Sequence, residues 1–179
     1  ALDIVSGEYW FSGPAFTDAH KICDVKPEGD YFDDFGDYPM DINRDGYLDI
    51  VSGAWFGQKL TWRENPKGAK TEWTVHDIAQ VGNIEKPCFW DIDNDGTIDI
   101  VPNTPGNPQR IVRLTSTGTE APAFEIHTIS EVKTGHGLGF GDINGDGRGD
   151  LIVQGGWFEG PESPWTSEWA FHNEPVLFD

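Results

Sequence analysis

Apolar residues in this chain come in short bursts, and the bursts recur. Leu2-Asp3-Ile4-Val5-Ser6-Gly7 is echoed by Leu48-Asp49-Ile50-Val51-Ser52-Gly53, and shorter versions stand at Asp99-Ile100-Val101 and Asp150-Leu151-Ile152-Val153. No helical spacing of apolar positions persists for more than a turn or two. β-Branched and aromatic residues instead fill runs bounded by Gly, Pro, Asn and Asp, the pattern of short strands joined by turns. After each burst the pattern predicts a strand ending in aromatics, at Tyr9-Trp10-Phe11, Trp55-Phe56 and Trp157-Phe158; the copy at Asp99–Asn103 lacks the pair. A turn then leads to a further strand, as at 60–63 or 110–114, and next to a segment carrying His20, His76, His127 or His172. Four of the five histidines thus share one repeat position, which reads as a structural role rather than a ligand. A last strand, at 35–40, 85–90 and 136–141, leads into an acidic turn.

That acidic turn occurs three times: Asp41-Ile-Asn43-Arg-Asp45-Gly46-Tyr47-Leu-Asp49, Asp91-Ile-Asp93-Asn-Asp95-Gly96-Thr97-Ile-Asp99 and Asp142-Ile-Asn144-Gly-Asp146-Gly147-Arg148-Gly-Asp150. The first aspartates are 50 and 51 residues apart. Oxygen donors at positions 1, 3 and 5 fold around one point when Gly at position 6 permits a sharp turn. A carbonyl at position 7 and a carboxylate at position 9 complete an all-oxygen cage, the ligand set of a hard cation such as Ca2+. Three or four carboxylates within nine residues repel one another without a counterion. The expected side-chain ligands are Asp41, Asn43, Asp45 and Asp49; Asp91, Asp93, Asp95 and Asp99; and Asp142, Asn144, Asp146 and Asp150, with carbonyls from Tyr47, Thr97 and Arg148. An EF-hand does not fit. Its bidentate Glu at position 12 is replaced by Ser52, Pro102 and Val153, and strand formers stand where its exiting helix would be. An acidic turn that binds no metal is the bland alternative, and three copies in register weigh against it.

Four strands and one loop per roughly 50 residues is the grammar of a propeller blade. The expected fold is all-β: blades of four antiparallel strands in a partial ring of about three and a half to four blades, near 1–22, 31–78, 84–129 and 135–179, the first and last incomplete. Asp3 matches the ninth position of a fourth loop, so the chain reads as a piece of a longer polypeptide. Blades cannot cover their own apolar faces, so the missing blades or a second copy would be needed to close the ring.

Composition narrows the partners. The net charge is −19, which argues against nucleic acid, whose phosphates need Lys and Arg. Ten of the 31 acidic side chains lie in the three turns, so much of this charge is candidate metal-site charge. No apolar run is long enough to span a bilayer. Cys23 and Cys88 do not make a disulfide framework, although the two could pair. Weak oxygen sites suit millimolar external calcium, so a secreted or periplasmic setting is expected, although no signal peptide is visible.

The loops followed by Asp-Ile-Val or Asp-Leu-Ile-Val resemble FG-GAP/VCBS repeats. The resemblance implies a calcium-loop β-propeller, usually of seven blades, of which this chain would be about half, with the loop between the first and second strands of each blade. Gly149 departs from the family's apolar residue before the last Asp, which would weaken packing but spare the ligands. More distantly, Trp62-Arg-Glu-Asn65-Pro66, Trp73-Thr-Val-His76 and Gly135-His136-Gly137 are similar to the propeller of aldos-2-ulose dehydratase. That resemblance implies metal-assisted sugar dehydratase chemistry.

Aligning the inner strands on loop position 1 singles out polar residues that do not repeat: His136, Asp37, Glu85 and Lys86, with Asp33 and Asp34 nearby. His136 lies between two glycines and has an imidazole able to ligate a transition metal or act as a general base. A solvated channel lining is the plainer reading of the same residues. Trp10, Trp55 and Trp157 repeat and read as packing residues, whereas Trp90, Trp165 and Trp169 are irregular enough to be sugar platforms. Two functions emerge: an extracellular calcium-dependent module binding a glycan or protein, and a carbon–oxygen lyase acting on a keto-sugar or polysaccharide through His136, Asp37, Glu85 and Lys86.

Overall fold

Strands and turns, with no helix, make up residues 2–116 and 121–174, which the computed structural model describes. Four sheets follow one another along the chain. The first has three strands in the order β1 (Ile4–Ser6), β2 (Tyr9–Phe11), β3 (Ala19–Lys21). A small hairpin, β4 (Pro27–Glu28) with β5 (Tyr31–Phe32), comes next and was not expected. The second sheet is β6 (Asp37–Met40), β7 (Asp49–Gly53), β8 (Lys59–Glu64), β9 (Thr74–Gln80). The third is β10 (Lys86–Trp90), β11 (Asp99–Asn103), β12 (Pro108–Ser116), β13 (Ala123–Lys133). The fourth is β14 (Leu138–Gly141), β15 (Asp150–Val153), β16 (Gly156–Glu159), β17 (Ala170–His172). Every pairing is antiparallel and joins neighbours in sequence, so each four-stranded sheet is a meander. None closes into a barrel, as expected of separate propeller-like blades.

The core lies between successive sheets, which explains the apolar bursts. In β11, Ile100 packs toward the second sheet with Val51, Leu60 and Trp62, whereas Val101 packs toward the fourth with Leu151, Val153 and Phe158. Adjacent strand residues point to opposite faces, so a strand sandwiched between two blades needs apolar residues at both. Inner strands also stack across the seams: Tyr38 on Phe89, with ring centroids 3.8 Å apart, and Trp90 on Phe140, at 5.2 Å.

The aromatics expected to end the strand after each acidic turn lie elsewhere. Tyr9–Phe11 is a strand of its own, Trp157 and Phe158 belong to β16, and Trp55 and Phe56 sit in the connection between β7 and β8. The tryptophans that repeat are therefore Trp10, Trp62 and Trp157. Each sits cross-strand from a histidine and packs on it, with centroids 4.3, 4.5 and 4.1 Å from His20, His76 and His172. The two cysteines are free and buried in different clusters, Cys23 between the first and second sheets and Cys88 between the third and fourth.

Candidate metal centres

Each acidic turn joins the first strand of a four-stranded sheet to the second, and all three adopt one hydrogen-bond pattern. The position-1 carboxylate accepts two backbone N–H groups common to all copies, from position 5 at 3.1 Å and from the position-6 glycine at 3.0, 3.0 and 2.9 Å, and Asp142 also accepts from Gly145 at 2.7 Å. Position 3 accepts from the position-5 N–H through Asn43, Asp93 and Asn144. Position 5 accepts from the position-7 N–H at 3.0, 2.7 and 2.8 Å. Gly46, Gly96 and Gly147 have φ near +87°, at 88, 86 and 86°, in the left-handed region that glycine enters without penalty. Position 4 is left-handed too, occupied by Arg44, Asn94 and Gly145. Asn94 and Gly145 signal this in the sequence; Arg44 does not.

The donor set fits a hard cation. In the second loop, carboxylate oxygens of Asp91, Asp93 and Asp95 all lie within 4.8 Å of one another. Oxygens bound to one Ca2+ at about 2.3–2.6 Å stand no more than about 5 Å apart. Residues 41–101, which run from position 1 of the first loop to just past the end of the second, match the FG-GAP-like repeat family. Over that stretch the chain is similar to the FG-GAP-like repeat. No curated protein matches it.

The ninth-position aspartates of these repeats have a second duty. Asp49, Asp99 and Asp150 are buried at the start of the second strand. One oxygen of each accepts the N–H of position 2, from Ile42, Ile92 and Ile143 at 3.0, 3.2 and 2.8 Å. The other oxygen of Asp49 and of Asp150 accepts the N–H of the residue after the third strand, Asn65 and Gly160. Asp3 accepts the Gly13 N–H in the same way. The ninth Asp therefore braces the loop to the sheet, and its remaining lone pairs are free to face the loop. Burial pushes the Asp49 carboxyl up to about 6 and the Asp99 carboxyl up to about 7, against the opposing pull of their backbone donors. Asp99 moves further and, among the described residues, has only the Ile92 backbone donor where Asp49 has two. At position 5 the balance reverses: the Thr97 N–H holds Asp95 below the usual carboxylate range, and the Arg148 N–H does the same for Asp146.

Gly149 lies against the first strand of its sheet. A Cβ there would lie 2.0 Å from the Phe140 ring, so a larger residue requires that ring to shift.

The expected catalytic residues come together only in part. His136 and Glu85 meet across the seam between the third and fourth sheets, Nδ1 to Oε1 at 2.9 Å. Glu85 also accepts from the Gly137 N–H at 3.1 Å and from the Asn103 side-chain amide. The His136 side chain is 69% exposed and lies parallel to the Trp55 ring at 6.1 Å. Asp37 is elsewhere. It accepts from Ser52 Oγ at 2.6 Å and pairs with Arg63 at 3.2 Å. Arg63, almost fully buried, also pairs with Asp34 at 3.0 Å and donates to the Gly7 carbonyl at 2.9 Å, locking the second sheet to the first. Burial pushes the Asp34 carboxyl up against the pull of Arg63. Asp33 accepts the N–H groups of Phe56 and Gly57 at 2.8 and 2.7 Å. Lys86 is exposed at the start of β10 and has no ion pair among the described residues.

An aromatic surface was not anticipated. Tyr31, Phe56, Phe35, Trp55 and His136 touch in series at 6.4, 6.2, 6.2 and 6.1 Å. Tyr31 and the neighbouring Phe32 are each 63% exposed. Phe35 precedes β6, Trp55 and Phe56 follow β7, and His136 precedes β14, so this series lies at the end of the sheets away from the acidic turns. The irregular tryptophans split. Trp169 is buried, and Trp165 donates its indole N–H to Asp93 of the second loop.

Proposed function

We propose that this chain is a calcium-organised segment of a β-propeller that works outside the cell as a glycan- or protein-binding module. Asp91, Asp93 and Asp95 carry the reading: their carboxylates converge, in a loop whose backbone pattern is repeated at 41–49 and 142–150. Ca2+ would be held by the position 1, 3, 5 and 9 side chains and the position-7 carbonyl of each loop. It supplies positive charge at the junction of the first two strands. The protein's part is to aim oxygens inward and to brace the loop on the sheet. Millimolar external calcium matches weak sites of this kind. The exposed aromatic series at the opposite end is the surface for a ligand, since large contiguous apolar patches mark interaction sites.

Equilibrium dialysis against calcium, with and without chelator, tests the metal assignment. Three ions per chain are expected; none bound at millimolar calcium would end it. Tyr31→Ser/Phe56→Ser tests the ligand face, and should abolish capture on a glycan array or by a protein ligand while calcium binding is kept.

A second reading rests on the His136–Glu85 pair. Glu85 holds the imidazole by Nδ1 and leaves Nε2 as an acceptor, the arrangement of a general base. It would remove the proton α to the carbonyl of a keto-sugar, and the imidazolium would return that proton to the β-hydroxyl as the carbon–oxygen bond breaks, so that water leaves and a Cα–Cβ double bond forms. His136→Ala would abolish formation of the unsaturated carbonyl, read by ultraviolet absorbance. If the wild-type chain yields no such product from keto-sugars, this reading is wrong.

A further inference from the structure

The three repeats form an internal comparison at loop position 3. In the first and third the residue is asparagine; in the second it is aspartate. The residue facing it comes from the third strand of the same sheet, at one register position: Glu64, Arg113 and Glu159 each stand opposite the residue two before the repeated histidine. Asn43 Nδ2 donates to Glu64 Oε1 at 3.3 Å, and Asn144 Nδ2 donates to Glu159 Oε1 at 3.4 Å as well as to Asp146 Oδ2 of its own loop at 3.0 Å. Asp93 Oδ2 instead accepts from Arg113 Nη2 at 3.2 Å and from the Trp165 indole, the same Nη2 also donating to Asp95 Oδ2 at 2.9 Å. Asparagine thus faces an acceptor and aspartate faces a donor, in all three copies.

The chemistry explains the pairing. A carboxylate only accepts, so the asparagine atom turned toward it must be the amide nitrogen, and the carbonyl oxygen is left facing the loop. Asn43 Oδ1 and Asn144 Oδ1 do face inward, accepting the position-5 N–H at 3.1 and 3.0 Å. A guanidinium only donates. Facing asparagine it would draw the oxygen outward and aim N–H groups at a cation; facing aspartate it leaves an oxygen at both ends. The clamps are themselves held. Glu64 and Glu159 bond His76 and His172 at 2.8 Å, and Arg113 lies over the Trp165 ring at 4.6 Å.

We propose that Glu64 and Glu159 are positioning residues that turn the position-3 asparagine oxygen toward the bound cation, and that Arg113 in the second repeat is matched to the aspartate there. The inference rests on the calcium reading of the loops. Partners behind metal ligands typically alter affinity 10–100-fold.

The test uses two neutral replacements. Glu64→Gln keeps an acceptor for Asn43, whereas Glu64→Met of similar length does not. If the clamp acts by orientation, Glu64→Met weakens one of three calcium sites roughly 10-fold or more in equilibrium dialysis, and Glu64→Gln keeps all three near wild-type affinity. Glu64→Arg loses the site, and Asn43→Asp in that background, which recreates the pair of the second repeat, restores it. Glu159→Gln and Glu159→Met repeat the comparison in the third loop should a Glu64 variant fail to fold by circular dichroism. Equal affinities for the Gln and Met variants, whether lost or kept together, overturn the positioning role and leave the calcium assignment standing. A wild-type chain that binds no calcium overturns both.

Discussion

Replacing Asp99 by asparagine separates the electrostatic cost of the second loop from its metal affinity. Burial raises the Asp99 carboxyl from 3.8 to about 7 in the folded chain. The folded value is above the unfolded one, so the native state holds the proton more tightly. Its contribution to stability is fully present below about pH 4 and is lost as pH rises through about 7. Each pKa unit corresponds to about 1.4 kcal/mol, so the ionised group costs on the order of 4 kcal/mol at pH 8 when no cation is bound. For a chain of this size that is roughly 8–16 °C of melting temperature. Asparagine keeps the hydrogen bond from Ile92, because its carbonyl can still accept that N–H. Asp49 and Asp150 would be poorer choices, since both of their oxygens accept backbone donors. In chelator, Asp99→Asn should match the wild type at pH 4 and melt several degrees higher at pH 8. In calcium at pH 8 the order should reverse, because the variant lacks one ligand of the second site. Thermal melts followed by tryptophan fluorescence read both arms. A variant destabilised equally at pH 4 and pH 8 in chelator would refute the reasoning.

Two further changes probe what holds the sheets. Arg63→Met strands Asp34 and Asp37 without their buried cation and should cost about 3–5 kcal/mol in urea denaturation; adding Asp34→Asn and Asp37→Asn should recover most of it, and a single-variant loss below about 1 kcal/mol would contradict the buried lock. Gly149→Leu, which copies the Leu48 of the first repeat, should destabilise by about 1–3 kcal/mol because the side chain meets Phe140, and Phe140→Ala in the same chain should relieve much of the clash, as read by denaturant midpoints.

What the chain states locally was legible without coordinates. The three loops could be read because each is complete within nine residues: alternating oxygens, a glycine at position 6 and a buried aspartate at position 9. The all-β architecture and the repeated meander followed from apolar bursts at a constant period. The histidines read as structural because they recur in step, and they do pack on tryptophans. Pairing those histidines with the right tryptophans was beyond the sequence. Trp55 and Trp62 are both near the expected place, and only the strand register sets Trp62 opposite His76.

Tertiary structure decided everything that depends on which face a residue takes and which blade lies beside it. Arg63 reaches Gly7, His136 reaches Glu85 and Trp165 reaches Asp93 over separations of 56, 51 and 72 residues. Asp37, Glu85, Lys86 and His136 are all unrepeated polar residues on or beside the inner strands, yet one is tied to Arg63, two meet across a seam and one stands in solvent. The physical reason is the two-residue period of a strand. A neighbour in sequence goes to the opposite face, and the stacking of the sheets then determines whether that face meets a cation, a carboxylate or water.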